Sequence, residues 1–338
     1  MIRKMGNSLI QMKFSSIISE SDCLFRYRTV NEKNLEALKN DRLYYSTPNC
    51  FNDPYDNLIF VNTQTVLSQI IGSINAGMDS FLEKNIEKTP EIELFKNTWN
   101  DKQHRPQLLQ RHCELISSAL DAVRMNLRAY PRLICFGEEY DSMLMWSHYA
   151  DYHKGYVLVY AKEDLISAGS YDSKGNLLSQ KTRLEKVQYT DRQTDMTDEV
   201  LAYLRVNMLG GTVDNRTDAS INPMKLRKVL TEKSTEWQYE KEWRLIPRIP
   251  SIEKPSMFSY LICKPKAVII GSKCREEDRK RLIDICETME IPVFGIFLSE
   301  TEPSYRLLVN EDGNTVVSSP EFLWFYDEQQ DRDKSNRT

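Results

Sequence analysis

Histidine is scarce in this chain, and the paired cysteine spacings of metal and redox sites are missing. Four histidines occur in 338 residues, and seven cysteines are scattered without a C-x-x-C pair. An odd number of cysteines in a long chain argues against a disulfide framework. They read as reduced, mostly buried thiols, which points to the cytoplasm. His148 and His153 stand five positions apart, a spacing that suits neither one helix face nor one strand face. No cysteine or carboxylate completes a familiar ligand set around them, so no metal site is expected. Neither G-x-x-x-x-G-K-[ST] nor G-x-G-x-x-G occurs, which excludes P-loop and dinucleotide-fingerprint sites. No apolar run approaches the roughly 20 residues needed to span a bilayer. The start, "MIRKMGNSLIQMKF", lacks the apolar core of a secretory signal. Positive charge is not in excess either. A net charge of −4 leaves no overall field to draw the chain to nucleic acid or an anionic membrane.

What is present fits an ordinary globular protein: 41% hydrophobic, 10% aromatic and 28% charged residues. A chain this long suits one large domain or two modest ones, with a radius of gyration of roughly 20 Å as a single body. "LFRYR" (24–28), "RLYYSTP" (42–48), "RLICF" (132–136) and "GYVLVYA" (155–161) read as strands, and "NEKNLEALKND" (31–41) as a helix capped by Thr29 or Asn31. Residues 64–128 change to helical spacing, as in Leu109, Cys113, Ile116, Leu120 and Val123. Helices are expected over 197–209 and 223–233. A strand–helix–strand unit, with parallel strands, is expected over 266–298. The fold class is therefore α+β: a mixed central sheet in one domain, 22–305, carrying a helical insertion at about 64–128. Residues 1–21 read as an extension and 306–338 as a C-terminal segment whose charged end, from about 327, should fray.

The stretch "STEWQYEKEWRLIP" (234–247) carries the sharpest chemical signal. Read as a strand, it places Tyr239, Lys241, Trp243 and Leu245 on one face and Glu240, Glu242 and Arg244 on the other, spaced about 7 Å apart. The plain reading of E-x-E-x-R is a solvated face laced with weak ion pairs. The reactive reading makes one glutamate a catalytic carboxylate that stabilises a sugar cation or activates a nucleophile.

Candidate partners lie early in the chain. Arg28 offers a planar fork suited to phosphate oxygens, and Ser46 and Thr47 offer hydroxyls at a strand end. "FNDPYD" (51–56) reads as an Asx turn, with Asn52 and Asp53 closing it before Pro54, while Asp53 or Asp56 could hold the arginine. In "LMWSHYADYHK", Trp146 and Tyr149 read as packing residues that could also stack on a ring, and His148 as a structural histidine.

Taken together, "LFRYR…LYYSTPNCFNDPYD", "CFGEEYDSMLMWSHYADYHKGYVLVY" and "YEKEWRLI" resemble an uncharacterised bacterial family, a domain of unknown function, over about residues 22–300. A more distant resemblance is to ADP-ribosyltransferases of the Arg–Ser–Glu type, from Arg28, "YYSTP" and "EKE" (240–242) in that order. Pro48 stands where that group has a serine, and Arg28 and Ser46 are close together for it. The resemblance implies an ADP-ribosyltransferase-like fold and NAD as substrate, with Arg28 on its phosphates or ribose and Ser46 ordering the nicotinamide pocket. Glu242 would stabilise the ribosyl cation, Glu240 would prepare the acceptor, Arg244 would support them, and Trp146, His148 or Tyr149 would cover the ring. The expected function is an NAD-using ADP-ribosyltransferase or NAD glycohydrolase, an effector in bacterial toxin or antiphage defence, acting on a protein or nucleic-acid acceptor and needing no membrane. Two other classes stay open: a nucleic-acid-directed enzyme or binder, and a non-catalytic sensor or scaffold.

Overall fold

A computed structural model describes residues 14–18, 22–84, 93, 97–101, 103–180, 182–209, 222–247, 256–298 and 307–309. The expected fraying tail lies outside these residues. Among them, no helix is long and apolar enough to cross a membrane.

The strands, in chain order, are β1 (Cys23–Arg28), β2 (Arg42–Tyr44), β3 (Ile134–Gly137), β4 (Tyr156–Ala161), β5 (Ser170–Tyr171), β6 (Leu177–Ser179), β7 (Arg183–Lys186), β8 (Gln188–Thr190), β9 (Glu232–Ser234), β10 (Glu242–Ile246), β11 (Tyr260–Ile262), β12 (Ala267–Ile270), β13 (Val293–Leu298) and β14 (Leu307–Val309). Eight of them form the central sheet, in the order β14-β13-β12-β4-β1-β3-β10-β7. Among the described residues of this sheet, only the β12–β13 pair is parallel, crossing over through the helix Glu276–Thr288 as expected for a strand–helix–strand unit. The sheet is mixed and the fold is α+β. A smaller sheet, β2-β11-β5-β6, and a β8-β9 pair complete the strands.

Burial explains the apolar runs. β12 is buried at every position and β4 at five of six, because both faces of these central strands are covered and neither can alternate with polar residues. One face packs Leu24, Leu158, Val268 and Leu245 under the helix Glu276–Thr288 and the smaller sheet. The other packs Phe25, Val157, Ile269 and Phe294 under the helix Met143–Tyr149. Phe14 joins this second core edge-on to Tyr140 and Phe294, so that part of the N-terminal segment docks on the main body. The helices Thr63–Lys84 and Arg105–Ala129 build a separate core with Val200, Leu204, Leu226 and Val229 from Thr197–Leu209 and Pro223–Thr231. The helical block therefore draws on chain well beyond residue 128. Asn31, one of the two expected caps, accepts the backbone N–H of Asn34 at 2.9 Å, closing an orphan donor of the first turn.

The segment after the helix Met143–Tyr149 is unusual: Asp151, Tyr152 and His153 all have positive φ. Left-handed backbone costs a non-glycine residue about 1–2 kcal/mol, so the surroundings must enforce it. The turn is tied down by hydrogen bonds from Tyr152 N to Ser147 O (3.3 Å), His153 N to Trp146 O (3.2 Å) and Gly155 N to Ala150 O (2.8 Å). It delivers the chain to β4 so tightly that a Cβ on Gly155 would sit 2.1 Å from the carbonyl oxygen of Arg28. Gly155→Ala should therefore push β1 and β4 apart, costing roughly 1–3 kcal/mol or more. A urea unfolding curve checks this; an unchanged midpoint would contradict it.

Candidate active site

The cavity opens where the central sheet parts. β1 and β4 pair over six consecutive positions, from Cys23↔Ala161 to Arg28↔Tyr156, but β1 meets β3 at one, Phe25↔Gly137. Beyond that point Arg26 spans the gap, its Nη1 donating to the Cys135 carbonyl at 2.9 Å. Ser46 extends the far wall, exchanging two 2.9 Å backbone hydrogen bonds with Leu133. The resulting cavity, about 290 Å³, is lined by Arg26 and Arg28 from β1, Cys135 and Gly137 from β3, Ser46, Phe51 and Asn52 from the early loop, and Tyr149, Lys233, Glu240 and Glu242.

The E-x-E-x-R stretch does not run as one strand. Residues Thr235–Glu240 form a 3-10 helix that ends on Lys241 in the left-handed region, φ 44°, and β10 starts at Glu242. Nor is this a solvated face, because Glu240 and Glu242 are about 5% exposed and Arg244 has no exposed surface. The kink brings both carboxylates onto one ammonium: Lys233 Nζ donates to Glu240 at 2.5 Å and to Glu242 at 3.0 Å. Arg244 donates through Nε to Glu242 at 2.8 Å and through both terminal nitrogens to Asp56, at 2.9 and 2.6 Å. It also donates to the second Glu242 oxygen at 3.1 Å, to Asn57 and to the Leu230 carbonyl. Tyr149 donates to Glu240 at 2.5 Å and accepts from Asn52 at 2.9 Å. The Glu242 backbone N–H donates to the Tyr189 hydroxyl at 2.8 Å.

This network separates the two glutamates chemically. Burial opposes ionisation of Glu242, but Arg244 and Lys233 outweigh it and hold its carboxyl down to about 2. Burial pushes the Glu240 carboxyl above its ordinary value, with Lys233 pulling against it and the charge of Glu242 adding to the rise. Neighbouring titratable groups driven in opposite directions suit a stabilising carboxylate beside a proton-handling one. The cavity is also lined by two cations, Arg26 and Arg28, which rise from the other face of the sheet, because Glu242 shares the face of Phe25 through Gly137 and the arginines alternate with Phe25. Arg26 is brought down to about 9, by burial first and by the charge of Arg28 second, and burial also lowers Arg28. Neither has a carboxylate partner among the described residues.

Several expected site residues stand elsewhere. Trp146 is fully buried beneath β1, edge-on to Tyr27 and stacked on His153, with its Nε1 donating to the Tyr140 carbonyl at 2.6 Å. His148 is exposed on the helix face beside Tyr239, and Thr47 precedes the 3-10 turn Pro48–Cys50. None of the three lines the cavity. Asp53 closes its Asx turn on Tyr55 N at 2.8 Å. Asp56 holds an arginine, but it is Arg244 rather than Arg28, and the cation on Glu240 is Lys233 rather than Arg244. Sequence reading missed Lys233, which sits in no motif. It also left Arg26 out of the NAD site, although strand alternation puts it on the face of Arg28. No group of three or more metal-type ligands occurs among the described residues.

Comparison with known proteins bears on one part of this arrangement. Residues 145–245 match the model of the family described as Protein of unknown function (DUF2971). The DUF2971 match includes "WSHYA", "HKG" and "EKEWR", with Tyr149, Lys233, Glu240, Glu242 and Arg244, and is shorter than the expected 22–300. Arg26, Arg28, Ser46 and Asp56 precede it. No curated protein and no solved structure matches the chain.

Three outcomes follow from the charges. Glu242→Gln should destabilise the fold by about 3–5 kcal/mol, because Arg244 and Lys233 lose a buried partner. In the wild type, the ionised Glu242 contributes stability above its ordinary value near 4.5, and this is lost as pH falls through about 2, about 3 kcal/mol in all. Urea titrations at pH 7 and pH 3 should show about 2 kcal/mol of that loss in the wild type, the rest following at lower pH, and none of it in the variant. Arg28→Met should raise the melting temperature, since it removes an unpaired, half-buried cation; a fall of several degrees would show a hidden partner.

Proposed function

We propose that the chain cleaves the bond between a ribose and a nitrogen base, with NAD as substrate, acting as an NAD glycohydrolase or ADP-ribosyltransferase. One observation supports this most strongly. The unpaired Arg28 and the firmly ionised Glu242, more than two hundred positions apart in the chain, line one cavity. A cation for phosphate and an anion for a sugar are what such a substrate needs within one cavity.

The chemistry balances with these residues. As the C1′–N bond breaks, its electron pair leaves with the nicotinamide nitrogen and neutralises the pyridinium ring. Positive charge grows on the ribose, where a fixed carboxylate helps most in the transition state. Glu242 supplies that charge and stays ionised. The oxygen of water, or of an acceptor, then bonds to C1′ and gives up its proton to Glu240, whose raised proton affinity suits a general base. Tyr149, held by Asn52, orients Glu240. Arg28 and Arg26 fix the phosphate and with it the reacting geometry. Phe51 and Phe136 supply apolar cover for the base. Loss of cellular NAD, or modification of an acceptor, accords with the toxin or antiphage-defence role that the resemblance implies.

Glu240→Gln is the discriminating variant. It removes the carboxyl whose ionised form burial disfavours and leaves Lys233 paired with Glu242 and Arg244 paired with Glu242 and Asp56, so the fold should hold. Incubation with NAD should release nicotinamide, measured by chromatography, and Glu240→Gln should slow release by about 10²–10⁴-fold while its circular dichroism stays native. Wild-type protein that neither releases nicotinamide nor gains thermal stability from NAD would overturn the reading.

A further inference from the structure

We propose that the cavity is built for a single nucleotide unit, one base, one ribose and one phosphate, and that the Arg26–Arg28 pair is its monophosphate subsite. The ribose end of this inference rests on the function proposed above; the phosphate end stands on its own observations.

The first observation is size. Pockets for small ligands usually span about 300–1,000 Å³, and this one, about 290 Å³, sits at the bottom of that range. The second is the supply of cations. Among the described residues, three basic ones line the cavity, Arg26, Arg28 and Lys233, and Lys233 is committed to Glu240 and Glu242. What remains for a ligand is two guanidinium groups from one strand. They are two positions apart, so their stems rise from the same face about 7 Å apart, close enough to converge on one phosphate.

The third observation is that the subsite is unsatisfied. Arg26 is 6% exposed, donates one hydrogen bond to a carbonyl, and leaves its buried Nε without a partner. Arg28, its neighbour on the strand face, has no carboxylate partner among the described residues. Buried polar groups in folded proteins are normally hydrogen-bonded, and buried charges are normally paired. Two adjacent cations that repel each other and lack a counter-charge call for a strongly charged, compact anion with several acceptor oxygens. A phosphate monoester meets that demand and suits the arginine fork. The second phosphate and second nucleoside of a dinucleotide would find no cation left inside the cavity and would extend outward.

The test has a binding arm and a turnover arm. Ribose 5-phosphate, added to the whole chain, should raise its melting temperature where ribose alone does not. Arg28→Met should abolish that shift, and Arg28→Lys, which keeps the charge but loses the fork, should retain part of it. Nicotinamide mononucleotide should be cleaved with a kcat/KM within tenfold of that for NAD. A ribose 5-phosphate shift that survives Arg28→Met, or no shift at all, would overturn the subsite. A preference for NAD of more than tenfold would overturn the single-unit reading. If neither nucleotide is cleaved yet the Arg28-dependent shift is present, the phosphate subsite stands and the glycosidic function falls.

Discussion

A guanidinium with no exposed surface governs this site. Arg244 binds Asp56 from the early loop and Glu242 from its own strand. A lone buried charge is costly, and pairing repays that cost only when geometry and hydrogen bonding are nearly complete. Here they are: both Asp56 oxygens, both Glu242 oxygens, Asn57 and a backbone carbonyl meet the three guanidinium nitrogens. The FNDPYD loop is thereby locked to β10. Asn52, at the other end of that loop, is placed to hold Tyr149 against Glu240. One ion pair thus orients a loop, a tyrosine and an acid at once.

The cavity has a separate origin, in the backbone. Gly137 is the point where β1, β3 and β10 meet, pairing with Phe25 on one side and Glu242 on the other. The Cβ it lacks would approach the Glu240 carbonyl at 3.3 Å, so this glycine lets the 3-10 turn settle close over the sheet. Beyond Gly137 the strands separate and side chains replace backbone hydrogen bonds as the link between β1 and β3. The cavity lining carries both signs of charge as a result. The acidic residues are largely but not wholly offset, with Lys233 and Arg244 serving three carboxylates, whereas the two arginines of β1 are left for a ligand. Stability and binding are therefore drawn from different residues, which is why Arg28 is expected to cost the fold something while Arg244 holds it together.

Much of the fold was legible in the sequence because burial leaves a periodic trace. The runs in β4 and β12, the helix Glu276–Thr288 and the long helix Arg105–Ala129 all lie close to where apolar spacing places them. The site was legible only in part. E-x-E-x-R stood out as an odd composition for an apolar stretch, but alternation alone made it a strand. The left-handed Lys241, which no local pattern announces, turned two carboxylates onto one ammonium. Lys233 carried no signal because a lysine before a turn is ordinary on a surface, and its burial depends on acids that follow it by several residues. Trp146 and His148 were conspicuous as residue types, yet helix geometry sends one inward beneath β1 and the other out to solvent. Residue type marked the neighbourhood; tertiary packing decided which side chains face the cavity.

The proposed chemistry depends on the two glutamates having opposite acidities in the folded chain. That can be read directly from the side-chain carboxyl resonances of 13C-labelled glutamate followed through a pH titration, with Glu240→Gln used to assign the pair. Glu242 should stay ionised down to about pH 2 while Glu240 titrates above the ordinary glutamate range. Coincident titration of both near pH 4.5 would contradict it.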